Sequence, residues 1–96
     1  MKIDFNKNGN TLSVSLAGRL DTVTAPELES FLGEHLGSVD SLEINCAELV
    51  YVSSAGLRVL LASHKKMKGA MKLTGVCELV MEVFEMTGFA DILVVE

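Results

Sequence analysis

Two adjacent serines, Ser53 and Ser54, carry the most promising chemistry in this sequence. They lie in the run Tyr51-Val52-Ser53-Ser54-Ala55-Gly56-Leu57-Arg58-Val59-Leu60-Leu61. A strand-like segment hands over there to an apolar stripe of helical spacing, so two hydroxyls stand at the opening of a helix. Unpaired backbone N–H groups and the positive end of the helix dipole favour an anion at that point. A phosphate attached there would be stabilised locally, and it would change the surrounding surface charge by about −1.5 to −2. Serine also serves well as a helix N-cap. One serine can cap while its neighbour projects, so the two roles do not exclude each other.

Other chemistries fit less well. A serine nucleophile needs a base and an orienting group. The α/β-hydrolase elbow runs Gly-x-Ser-x-Gly, and Val52 occupies its first glycine position. His35 and His64 each fall at the far end of a helix. Three turns separate His64 from Ser54, roughly 15 Å, too far to share a proton. Gly56 follows the serines, but the loop has no lysine and no Gly-x-x-x-x-Gly-Lys pattern. Cys46 and Cys77 sit among apolar residues and read as small buried hydrophobes in a reducing compartment. No His, Cys, Asp or Glu cluster has metal-ligand spacing. The sequence therefore predicts no catalytic residue, no metal, no cofactor and no enzyme.

A chain of 96 residues makes one domain, 1–96, and its 49% hydrophobic content suffices for a core without disulfides or metal. No apolar run approaches the ~18 residues of a membrane helix. Met1-Lys2-Ile3-Asp4-Phe5 lacks the basic-then-apolar pattern of a signal peptide, so a cytoplasmic protein without membrane insertion is expected. The net charge of −5 argues against nucleic acid as a partner. The one basic cluster, His64-Lys65-Lys66-Met67-Lys68, falls at a helix end, where it offsets the dipole.

The elements that must position the serines follow from periodicity. Met1, Ile3 and Phe5 alternate as a half-buried strand, and Leu12, Val14 and Leu16 form a second. The turn signal Asn6-Lys7-Asn8-Gly9-Asn10 between them predicts an antiparallel hairpin. Gly18 to Val23 reads as a loop. Thr24 and Glu27 then have capping-box spacing, with Pro26 in the first turn. Leu28, Phe31, Leu32 and Leu36 mark a helix closed by Gly37. A third strand spans about 41 to 46. The second helix opens at Ser53 or Ser54, carries Leu57, Leu60, Leu61 and His64, and ends by Gly69. Met71 and Leu73 supply a fourth strand. Leu79, Val80, Val83 and Phe84 mark a third helix stopped at Thr87-Gly88, and Ile92 to Val95 reads as a last strand. The order ββαβαβαβ implies an α/β fold, with about five strands in a mixed, mostly parallel sheet and three helices. Leu16, Leu32, Ile44, Leu57, Leu60, Leu61, Leu73, Val83 and Phe84 are expected in the core.

Several of these residues form a recognisable pattern. Leu42-Glu43-Ile44-Asn45-Cys46 followed by Tyr51-Val52-Ser53-Ser54-Ala55-Gly56-Leu57 resembles the STAS domain of anti-sigma factor antagonists. Gly18-Arg19-Leu20-Asp21 resembles that family's Gly-x-Leu-Asp loop, and Phe84-Glu85-Met86-Thr87-Gly88-Phe89 its late Phe-x-x-x-Gly-hydrophobic segment. The resemblance implies partner switching. The unmodified domain binds an anti-sigma factor that is also a serine protein kinase, and phosphorylation of the domain weakens the complex. By position in the motif Ser54 is the phosphoacceptor, with Ser53 the second choice. Asp21 falls in the loop beside it. Asp21, Thr22, Ser53, Ser54, Gly56, Leu57 and Arg58 form the implied partner surface, and Arg58, four residues after Ser54, could screen the phosphate.

The sequence departs from the family at Ser53, which replaces an acid, and at Asn45, which replaces an Asp. The family also usually ends in a further helix, whereas this sequence stops at Glu96. Apolar surface left uncovered there could favour a weak homodimer. A second reading follows from the same resemblance: a scaffold subunit of a transport or signalling complex that is never phosphorylated.

Overall fold

Alternating apolar and polar side chains build a five-stranded sheet in the computed structural model, which describes every residue from Met1 to Glu96. The elements are β1 (Lys2–Asn8), β2 (Thr11–Leu20), α1 (Ala25–His35), β3 (Ser41–Val52), α2 (Ser54–Lys66), β4 (Met71–Thr74), α3 (Glu78–Thr87) and β5 (Val94–Val95). Single 3₁₀ turns follow α1 at Leu36–Ser38 and α3 at Phe89–Asp91. This is the expected ββαβαβαβ order.

The strands lie side by side in chain order. β1 and β2 are antiparallel, and every later pair is parallel. Strands added in one direction by right-handed crossovers place all connecting helices on one face. Burial agrees with that arrangement. Leu12, Val14 and Leu16 of β2, Leu42, Ile44 and Cys46 of β3, and Met71 and Leu73 of β4 are buried in a single cluster with Leu28, Leu60 and Phe84 of the helices. The intervening Ser13, Ser15, Glu43, Asn45, Lys72 and Thr74 face the other way and stay at least partly exposed. On that open face Lys72 Nζ lies 3.3 Å from Glu43 and 3.6 Å from Glu96.

The structure corrects the expected boundaries at several points. The hairpin turn is only Gly9-Asn10, because Asn6, Lys7 and Asn8 continue β1 opposite Ser13, Leu12 and Thr11. Phe5 stays exposed because β1 is an edge strand with no neighbour beyond it. Its ring packs against Phe31 and His35 of α1 at centroid distances of 5.0 and 4.8 Å. β2 runs on through Gly18 to Leu20, and β3 runs six residues past Cys46. Ser15 pairs with Asn45 and Ala17 with Glu48; Gly18 pairs with Leu49 and Arg19 with Tyr51. At each step β3 holds one residue more than β2. These are bulges, and a bulge breaks the two-residue period by which a strand is read from sequence.

The helices also deviate from expectation. Gly37 lies inside the 3₁₀ turn after α1 and does not close the helix itself. Gly88, at φ +81°, does stop α3, in a left-handed conformation that glycine adopts without a steric penalty. Leu79 is exposed on the first turn of α3, on the side away from the buried Val80 and Phe84. Leu61 and Val83 are only partly buried, while the other seven expected core residues are fully so. The last strand shortens to Val94–Val95, with Leu93 buried and Ile92 exposed.

Candidate functional site

The site forms where the carboxyl ends of β2 and β3 lie side by side, with Leu20 paired to Val52. At this edge each strand turns into the helix that follows it. The Ser53 N–H donates to the Leu20 carbonyl at 2.8 Å, tying the two strand ends together. Ser53 is extended (φ −93°, ψ 174°) and is the N-cap of α2; its Oγ accepts the Gly56 N–H at 3.3 Å. The helix therefore starts at Ser54, whose side chain is exposed. The two serines thus divide the two roles the sequence allowed. Ser53 satisfies one of the orphan amides, and Ser54 is free at the positive end of a 13-residue helix.

Gly56 and Leu57 lie beneath this surface and offer nothing to a partner. Leu57 is 4% exposed, in the core. At Gly56 a Cβ would meet Leu20 Cγ at 2.6 Å and the Leu20 carbonyl at 3.0 Å. Glycine is needed here for a close approach of α2 to the end of β2.

The loop before α1 closes differently from the expected capping box. Thr24 has helical backbone angles and makes no side-chain cap bond. Its hydroxyl instead donates to the Arg19 carbonyl at 2.7 Å and accepts the Asp21 N–H at 2.9 Å. Asp21 takes over the capping role, its Oδ1 accepting the N–H groups of Val23 (3.0 Å) and Thr24 (3.1 Å). Asp and Asn favour such local turns because a short acceptor reaches the backbone two or three residues on. The Thr24 N–H above all, with smaller help from the Val23 N–H and Arg19, holds the Asp21 carboxyl below its ordinary pKa and overcomes the opposing desolvation. Asp21 is thus a loop-building acid more than a displayed one.

Two arginines flank this loop. Arg19, set opposite Tyr51 by the second bulge, holds its guanidinium 4.2 Å from the centre of the Tyr51 ring. Its Nε is 3.7 Å from Asp21 Oδ2, and the side chain is 60% exposed. Arg58, one turn along α2 from Ser54, is exposed on a cleft of about 290 Å³ shared with Thr22, Pro26 and Glu29. The sequence drew attention to Arg58 but not to Arg19 or Tyr51 as site residues. Gly18-Arg19-Leu20-Asp21 was legible as a motif, but the bulge that aims Arg19 was not.

Neither histidine approaches the serines. His35 stacks on Phe31 at 4.3 Å with Nδ1 2.8 Å from the Phe31 carbonyl, and His64 lies in the last turn of α2. No three His, Cys, Asp or Glu side chains converge, and no helix is long and apolar enough to cross a membrane. Cys46 and Cys77 are both free thiols. Burial, and secondarily Cys77 nearby, push the Cys46 thiol up to about 12, so it stays protonated and inert. The site presents an exposed hydroxyl and two guanidinium groups, and neither histidine is part of it.

Comparison with known proteins bears on the family and the fold. The sequence model of the family described as "Mlab, STAS domain" matches residues 3–96. The anti-sigma-B factor antagonist of Bacillus subtilis is 30% identical over 96 residues, covering 97% of this chain and 88% of the relative. Among solved structures, an anti-sigma factor antagonist from Mycobacterium paratuberculosis superposes with a TM-score of 0.87 at 23% identity, over 98% of this chain and 83% of that one. The Bacillus cell fate determinant SpoIIAA in its phosphorylated form gives 0.75 at 16% identity, over 99% and 91%. At such identities the structures establish a shared fold.

Proposed function

This chain belongs to the STAS domain family, and from that premise we propose that it is an anti-sigma factor antagonist switched by phosphorylation of Ser54. Unmodified, it binds an anti-sigma factor that is also a serine protein kinase, and so frees the sigma factor. The observation that carries the assignment is the division of labour between the serines. Ser53 is committed to the cap, whereas Ser54 is exposed at the first position of α2.

The chain supplies only the nucleophile. Ser54 Oγ attacks the γ-phosphorus of ATP bound to the partner. The new O–P bond forms as the bond to the β,γ-bridging oxygen breaks. ADP leaves, and the hydroxyl proton passes to a base on the partner. The product phosphate sits beside the α2 amides, which stabilise it where it stands. It also brings about −1.5 to −2 of charge into the interface, and uncompensated charge buried against a partner is destabilising. A phosphatase reverses the step by hydrolysis.

The test is to incubate the chain with ATP and its kinase partner, then determine intact mass and map the peptides. One added phosphate on Ser54, with weaker binding afterwards and in Ser54→Asp, is the expected result. If Ser54→Ala and Ser54→Asp bind the kinase equally well, the switch is refuted. The rival scaffold reading is favoured by Ser53, which replaces the family's acid. A complex with a transport ATPase that survives mutation of both serines would establish it.

A further inference from the structure

The protein carries a net charge of −5, yet the loop beside Ser54 is bracketed by two exposed arginines. Arg19 reaches it through Asp21, and Arg58 through the cleft it shares with Thr22. Two acids, Asp21 and Glu29, stand beside them. Asp21 has Oδ1 turned into its own loop, and Glu29 lies at the cleft with Arg58, leaving Arg19 paired only through one oxygen at 3.7 Å.

Arg19 is also held ready. Its guanidinium lies over the Tyr51 ring at 4.2 Å, a cation–π contact that favours one orientation of a long side chain. A planar guanidinium fixed in advance loses less freedom when it pairs with a carboxylate. Three features hold it there: the β3 bulge that sets Arg19 opposite Tyr51, the aromatic platform, and the Asp21 tether. All three spend local structure on the direction of one exposed cation.

We propose that the pre-oriented Arg19, assisted by Arg58, docks a carboxylate-bearing patch on the kinase partner, and that a phosphate on Ser54 breaks the complex by repelling those carboxylates. This rests on the switching function proposed above and names the chemistry of the surface it needs. Arg19 and Arg58 are balanced in charge by Asp21 and Glu29 beside them, so the unmodified rim is near neutral and the phosphate turns it negative by about 1.5 to 2 charges. The rest of this acidic protein repels an acidic partner in other orientations, so the same pair fixes the docking pose.

The experiment is to measure association and dissociation rates of the full chain with its kinase partner, from about 0.05 to about 0.3 M ionic strength. The variants are Arg19→Gln, Arg19→Glu, Arg19→Lys and Ser54→Asp. Arg19→Gln should weaken binding about fivefold to tenfold at low salt, chiefly through the association rate, and should flatten the salt dependence. Arg19→Glu should weaken it further, and a Glu→Arg or Asp→Arg change on the partner should restore it. Arg19→Lys, which keeps the charge, should retain the salt slope. Thermal unfolding of each variant separates loss of docking from loss of the loop. If Ser54→Asp abolishes binding while Arg19→Glu binds like the parent, the docking role is overturned and the switch stands. If neither substitution alters binding, both are overturned.

Discussion

Replacing Gly56 by alanine sets two opposing effects against each other at one position. Inside a helix, Ala is favoured over Gly by about 0.5–1 kcal/mol, and Gly56 lies in the first turn of α2 with no positive φ. Propensity alone therefore predicts a more stable protein. The new Cβ, however, would stand 2.6 Å from Leu20 Cγ and 3.0 Å from the Leu20 carbonyl. Ordinary contact begins at 3.4 Å, so something must move by several tenths of an ångström. The Leu20 side chain is fully buried, and its carbonyl is held by the Ser53 N–H. Neither can yield without opening the site. Overpacking of this kind costs about 1–3 kcal/mol; a mid-range cost of about 2 kcal/mol outweighs the propensity gain and leaves a net loss of about 1–1.5 kcal/mol. For a domain of this size each kcal/mol is about 4–8 °C in Tm, so circular dichroism should show a drop of about 4–12 °C. Gly33→Ala is the matched control, a helical glycine whose Cβ would meet nothing within 4 Å. It should gain up to about 1 kcal/mol and melt higher. If Gly56→Ala rises with Gly33→Ala, the close approach of α2 to β2 is refuted.

Three further outcomes follow from the site. In urea titrations Ser53→Ala should lose about 1 kcal/mol with its cap, and Ser54→Ala should stay within about 0.5 kcal/mol of the parent. The opposite ranking would assign the cap to the wrong serine. The lowered pKa of Asp21 means that its charge favours folding above the unfolded pKa of about 3.9, and that this contribution is lost as pH falls through the lower folded value. Asp21→Asn should flatten the stability curve below about pH 4, and an unchanged acid limb would contradict the loop geometry. Finally, near neutral pH an alkylating reagent should label half-buried Cys77 first and reach Cys46 only as the protein unfolds, since Cys46 is 1% exposed with its thiol near 12.

Element order and helix positions were legible because they rest on period and punctuation. Asn8-Gly9, Pro26, Ser53 and Gly88 each mark a boundary through a local preference that the fold respects. The extensions of β2 and β3 were not legible. Two bulges shift the buried positions from Cys46 to Leu49 to Val52, a three-residue spacing that resembles neither a regular strand nor a helix. The site was half visible for the same reason. Ser53, Ser54, Asp21, Arg58 and Arg19 all stood in motifs, but the pairing of Arg19 with Tyr51 comes only from the register of β2 against β3. Thr24 and Asp21 have equivalent capping chemistry in sequence, and only the path of the chain decides which oxygen faces which amide. Gly56 and Leu57, two and three residues past Ser54 in sequence, are turned by the helix toward the core while Ser54 is exposed.

This separation of buried from displayed positions within one short motif bears on how such proteins diversify. Gly56, Leu57 and Leu20 cannot change without disturbing packing. Arg19, Thr22 and Arg58 are all exposed on the rim. Gene duplicates can therefore change their rim while keeping the same fold and the same exposed serine hydroxyl. A cell carrying several such copies could keep their signals insulated by the rim alone, each pathway sharing an architecture but not a conversation partner.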